Sequence, residues 1–259
     1  MPSKAHFASR PDAILVGLLT TLVLLAWYAL WLWGRSPYGH LLHGPAHLHA
    51  AVRGPWLLAA IFVVGWTVMT VAMMLPTSFP MILLFRRIVG DRATAAWLVM
   101  VLIIGYLVSW LVCGVLLQFV NWLLYAGINK LAWPAQAGWI SAAIILTLAG
   151  LYQFSSLKYA CLDKCRSPLS FLMSRWRGGS ESAQALRIGV EHGLFCVGCC
   201  WSLMLLMFLV NSASLVWMLL LGAVMALEKN FPWGRRLSAP IGMLLFIGAS
   251  AVVVNEIRF

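Results

Sequence analysis

The strongest constraint on this chain is a series of apolar runs, each near the length that crosses a bilayer, separated by short clusters of charge, Pro, Gly and Asn. A helix rises 1.5 Å per residue, so ~20 mostly apolar residues cross the hydrocarbon core. Runs of about that length cover residues 13–33, 55–75, 95–119, 137–157, 193–210, 214–227 and 239–254. They are continuous and do not alternate with period two, which excludes a strand barrel and predicts an all-α, polytopic transmembrane helix bundle. Composition points the same way: 63% of residues are apolar or aromatic and only 10% are charged, against roughly a quarter charged in a soluble domain. Residues 1–259 therefore read as a single membrane domain. The first run is too long for a signal-peptide core of ~7–15 residues and lacks a small-residue cleavage pattern, so it reads as an uncleaved first helix.

Charge sets the expected topology. With seven spans, fourteen Lys and Arg fall on the side of Lys4, Arg86, Lys158 and Lys229, and four on the side of Arg35, Arg53, Lys130 and Arg258. The positive-inside rule then places the N-terminus in the cytoplasm and the C-terminus outside. Only residues 211–213 separate the fifth run from the sixth, so six spans are the alternative. Seven is preferred because a merged helix would carry Lys229, Arg235 and Arg236 outward.

This topology sorts the chemically active side chains. Cys161 and Cys165 fall in a basic cytoplasmic loop, 158–190. Cys196, Cys199 and Cys200 fall in the first two turns of helix five, Met69, Met73 and Met74 at the cytoplasmic end of helix two, and Glu228 with Lys229 at the end of helix six. Helices two, four, five and six are thus expected to bring sulfur and ionisable groups to one depth. The spacings 161/165 and 196/200/204 put side chains on one helical face. Thiolate and thioether ligands in such a cluster suit Cu(I), or Zn(II) where four thiolates close a tetrahedron. The candidate ligands are Cys161, Cys165, Cys196, Cys199, Cys200, Met73, Met204 and Glu228. For Cys113, alone on helix three, packing is the simpler reading, and Glu228 beside Lys229 also fits an ordinary interfacial ion pair.

A second feature lies in the outer loop 34–54, where His40, His43, His47 and His49 fall within ten residues. Such a tract can capture Cu(II), Ni(II) or Zn(II), although Gly44-Pro45 prevents His43 and His47 from sharing a helical face. It is the weaker metal candidate.

Several stretches together resemble a bacterial family of uncharacterised, predicted metal-binding integral membrane proteins. They are Ala72-Met73-Met74-Leu75-Pro76; Tyr152-Gln153 with Leu157-Lys158, Cys161-Leu162, Cys165-Arg166 and Pro168; Gly189 to His192 with Gly193, Cys196, Gly198-Cys199-Cys200-Trp201 and Leu203-Met204; and Glu228-Lys229. The resemblance runs from about Met69 to Lys229. It implies a polytopic inner-membrane protein with these positions as metal ligands, and names neither the metal nor a reaction.

No glycine-rich phosphate loop, G-x-S-x-G or H-E-x-x-H motif is present, so ATP-driven transport by this chain alone and the common hydrolase chemistries are not expected. No catalytic residue is assigned. Tryptophans such as Trp27, Trp31, Trp33 and Trp139 sit at run ends, which fits interfacial anchoring and not nucleic-acid stacking. The expected contacts are membrane lipids and either the subunits of a membrane complex or a metal-receiving protein. Handling of a soft metal ion leads. An accessory subunit of a larger complex follows, and a membrane thiol-disulfide oxidoreductase comes third, since cytosolic thiols are kept reduced.

Overall fold

The computed structural model describes residues 10–36, 55–90, 92–128, 138–176, 180–208 and 215–257. His40, His43, His47 and His49 lie outside these residues, as does the connection 209–214. Among the described residues there are ten α-helices and no strand, in agreement with the all-α class: α1 (Arg10–Arg35), α2 (Pro55–Met73), α3 (Phe79–Val89), α4 (Ala95–Ile128), α5 (Gly138–Gln153), α6 (Ser156–Arg166), α7 (Pro168–Arg175), α8 (Glu181–Leu205), α9 (Leu215–Asn230) and α10 (Ser238–Ile257).

Each apolar run is a helix: α1, α2, α4, α5, α8, α9 and α10. Four described segments are long and apolar enough to cross a membrane, namely Asp12–Arg35, Ala95–Val120, Glu181–Leu205 and Gly234–Glu256. Two more candidates are broken. The pair Ala59–Met73 and Pro76–Val89 bends by 46°, and the pair Trp139–Gln153 and Ser156–Arg166 by 62°. The described helices therefore supply four candidate spans, or up to six if each bent pair is one, and α9 has only 16 residues. The first bend follows from Pro76, which cannot donate a backbone hydrogen bond; the amides of Met74 and Leu75 both turn back to the Thr70 carbonyl. At the second, Ser155 ends one helix and caps the next, its hydroxyl accepting from the Lys158 amide at 3.1 Å.

Two expectations need correction. The segment 158–190 is not a loop; it holds α6, α7 and the first turns of α8. Helix α8 starts about a dozen residues before its apolar run, because Arg187, Glu191 and His192 belong to a helix whose inner face is already apolar. Ala185, Ile188 and His192 are buried, while Glu191 accepts from Arg187 one turn away at 2.8 Å and from Arg175 of α7. Cys196 consequently stands ~22 Å along α8, not in its opening turns. The Trp27 indole N–H donates to the Ala72 carbonyl at 3.1 Å and ties α1 to α2.

α4 and α8 run side by side in the same direction. Trp97 meets Ser182 at one end, and further along the Ser109 hydroxyl donates to the Val190 carbonyl at 3.0 Å. The close approach depends on Gly105, Gly189 and Gly193. A Cβ on Gly193 would fall 2.7 Å from the Ser109 Cβ, and one on Gly189 would overlap the Leu102 carbonyl. This is the small-residue packing of helices that lack a hydrophobic drive to associate. α5 packs antiparallel on α10, with Phe154 stacked on Phe246 at 6.1 Å between centroids. Outward faces are apolar, as at Leu18, Leu24, Leu116, Leu244 and Ile247. The ends of α2, α5 and α9 terminate inside, against the middle of the α4–α8 pair, and the buried polar groups lie there.

Gly189→Val should force α4 and α8 apart and cost at least the ~1–3 kcal/mol of an overpacked core, seen as a lowered thermal midpoint in detergent. Gly17→Ala, with nothing within 4 Å of the added Cβ, should leave the midpoint unchanged.

Candidate metal centre

Helix α8 supplies three thiols at one level, Cys196, Cys199 and Cys200, each at most 1% exposed. The Cys199 Sγ lies 3.4 Å from that of Cys200 and 3.9 Å from that of Cys165 on α6, and its thiol also reaches the Cys196 carbonyl at 3.2 Å. Cys196 and Cys200 stand one turn apart on the same face of α8. Cys161 presses on the α8 backbone at Gly198, where an added Cβ would fall 2.5 Å from its sulfur. Glycine at 198 is thus what lets α6 approach, and the Tyr152 hydroxyl donates to the carbonyl of the same residue. All six cysteines are free thiols.

The end of α9 delivers two charges to opposite sides. Lys229 places its Nζ 2.7 Å from the Cys196 sulfur and 3.2 Å from the Thr77 hydroxyl. Glu228 turns away and binds Lys158 of α6, at 2.8 and 3.0 Å from its two oxygens, while Ser238 donates to it at 2.7 Å. Lys158 also donates to Gln153 at the end of α5. Both members of this ion pair are almost completely buried. The expected Glu228–Lys229 pair does not form, since neighbours on a helix point about 100° apart. With its oxygens held by Lys158 and Ser238, Glu228 serves as a counter-ion here.

The break after α2 leaves carbonyls without helical partners. That of Met74 accepts from the Thr77 hydroxyl at 2.7 Å and from Tyr106 of α4 at 3.1 Å, and the Tyr106 oxygen lies 3.0 Å from the Cys196 sulfur. Five elements thereby converge on Cys196 and its neighbours. Met204 is buried one turn beyond Cys200, and Met73 is buried against Gly222 of α9. Cys113 is half-buried on α4, two turns past Tyr106.

Sequence reasoning missed Tyr106, Thr77, Ser238 and the pairing role of Lys158, and it reached His192 only through the family resemblance. His192 is buried one turn before Cys196, with its ring 5.8 Å from that of Tyr106. A polar residue interrupting an apolar helix was the available signal for Tyr106 and His192.

Among the described residues no three His, Cys, Asp or Glu side chains stand as a ready-made metal cage. The thiols meet in pairs instead. Two metal–sulfur bonds of ~2.3 Å reach at most ~4.6 Å, so the 3.4 and 3.9 Å separations both allow an ion to be shared by adjacent sulfurs.

A family model described as PpoB2, copper chaperone, matches residues 63–252, nearly three quarters of the chain. The chain belongs to the PpoB2 copper chaperone family. No curated protein and no solved structure matches it. The matched stretch includes every clustered cysteine, Lys158, Glu228 and Lys229, and leaves out α1 and the His40–His49 tract. Adjacent thiols are soft donors of the kind that suit copper.

Glu228→Gln should leave the Lys158 ammonium buried without its carboxylate and cost ~3–5 kcal/mol. Thermal unfolding of the purified protein checks this, with wild-type stability in the variant as the contrary result. Lys158→Met combined with Glu228→Leu should recover much of the loss.

Proposed function

We propose that this chain is a membrane-embedded copper chaperone that carries one Cu(I) as cargo on the thiols of α8, Cys196, Cys199 and Cys200. The observation that carries the reading is the set of three buried thiols on α8, in which Cys199 touches Cys200 and Lys229 donates to the Cys196 sulfur. Four apolar helices of spanning length and the apolar outward faces support the membrane setting. The excess of Lys and Arg on one side supports a site opening toward the cytoplasm of a bacterial inner membrane, with the N-terminus on that side and up to seven spans.

Charge favours Cu(I) over Zn(II). Lys158 and Glu228 neutralise each other, whereas Lys229 has no carboxylate partner among the described residues. Two thiolates on Cu(I) carry one net negative charge, which the Lys229 ammonium balances in a medium where an unbalanced charge is costly. A four-thiolate zinc site would carry two negative charges and needs a closed tetrahedron. Met204, one turn beyond Cys200 on α8, and Met73 are the further soft ligands of this reading. His40, His43, His47 and His49 serve as a weaker, separate capture site. The partner is a copper-receiving protein.

Anaerobic titration of the purified full chain should give one tightly held Cu(I). Replacing Cys196, Cys199 and Cys200 together by Ser should abolish it, and Cys113→Ser should not. The affinity should fall between about pH 8 and about pH 6, because each thiol must lose its proton to bind. Unchanged copper binding in the triple variant would refute the site.

A further inference from the structure

The cluster has a gradient of exposure. Cys196, Cys199 and Cys200 are buried, and Cys199 touches Cys165, which is half-buried on the last turn of α6. The surroundings of Cys165 are polar. Its neighbour Lys164 is exposed; Arg166 binds the Glu228 and Pro232 carbonyls at 2.6 and 2.8 Å; and the exposed Arg235 binds Asp163 at 3.0 Å. The turn after α9 is thus strapped over α6 beside this cysteine and leaves Lys164, Arg235 and Arg236 as a basic rim.

We infer that Cys165 is the exit ligand of the site, taking Cu(I) from Cys199 and presenting it to a thiol-bearing acceptor with an acidic rim. The inference rests on the copper reading above and adds its route of release. Separations of 3.4 and 3.9 Å lie within the ~4.6 Å that one ion can bridge, so each handover forms one copper–sulfur bond before the previous one breaks. As Cys199 binds, its proton passes to the sulfur that is released, and the same exchange follows at Cys165. Copper stays Cu(I) throughout, and no electron or external proton is consumed. A thiol-to-thiol path avoids stranding the ion in the apolar interior. Arginine and lysine around the last sulfur favour an acceptor carrying negative charge.

The full chain in detergent, loaded anaerobically with Cu(I), is mixed with excess bathocuproinedisulfonate, an anionic Cu(I) chelator, and the transfer rate is followed by absorbance. Cys165→Ser should slow release at least tenfold relative to loaded wild type, and Cys113→Ser should not. Equal rates for wild type and Cys165→Ser would overturn the exit role while leaving the site intact. A wild-type protein that takes up no Cu(I) would overturn both. A second measurement needs no variant: alkylation of loaded wild type by iodoacetamide, read by mass spectrometry, should modify Cys165 and spare Cys196, Cys199 and Cys200. Protection of Cys165 equal to theirs would also overturn the inference.

Discussion

Three charges inside an apolar helix assembly organise this protein. Lys158, Glu228 and Lys229 are each at most 5% exposed, and a charge withdrawn from water without a partner costs several kcal/mol. Satisfying them requires α6, α9 and the start of α10 to meet through Lys158, Glu228 and Ser238, and α9, α8 and the turn after α2 to meet through Lys229, Cys196 and Thr77. The same contacts hold the thiols in place. Stability and the metal centre therefore share one polar core, and a substitution that unpairs Lys158 disturbs both.

The helix breaks serve this arrangement. If α2 ran straight through Pro76, the Met74 carbonyl would be spent inside the helix, and neither Tyr106 nor Thr77 could be anchored by it. If α5 continued into α6 without a bend, Lys158 and Cys165 would not turn back toward α9 and α8. Short helices with interrupted backbone, buried among longer ones, are how a bundle in an apolar medium admits polar chemistry.

Much of this was legible in the sequence. Continuous apolar runs located the seven principal helices to within a few residues at most ends, and the approach of Cys165 to Cys199 and of Lys229 to Cys196 was foreshadowed by the expected topology, which put these residues at one membrane depth. The start of α8 was missed because Arg187, Glu191 and His192 lower hydropathy without breaking the helix. The true partner of Glu228 was missed because adjacency in sequence favours Lys229, whereas helical geometry separates the two and the fold brings in Lys158 from 70 positions earlier. Close approach of α4 and α8 was written in Gly189-x-x-x-Gly193, a spacing that hydropathy does not register.

The copper chaperone family accounts for the match over residues 63–252, and the account advanced here places the cargo among the α8 thiols beside Lys229. The most direct test is anomalous scattering at the copper edge from crystals of the Cu(I)-loaded chain. A single peak within metal–sulfur bonding distance, ~2.3 Å, of two sulfurs among Cys196, Cys199 and Cys200 is the result this account predicts. A peak at the His40–His49 tract with none beside α8 would contradict it.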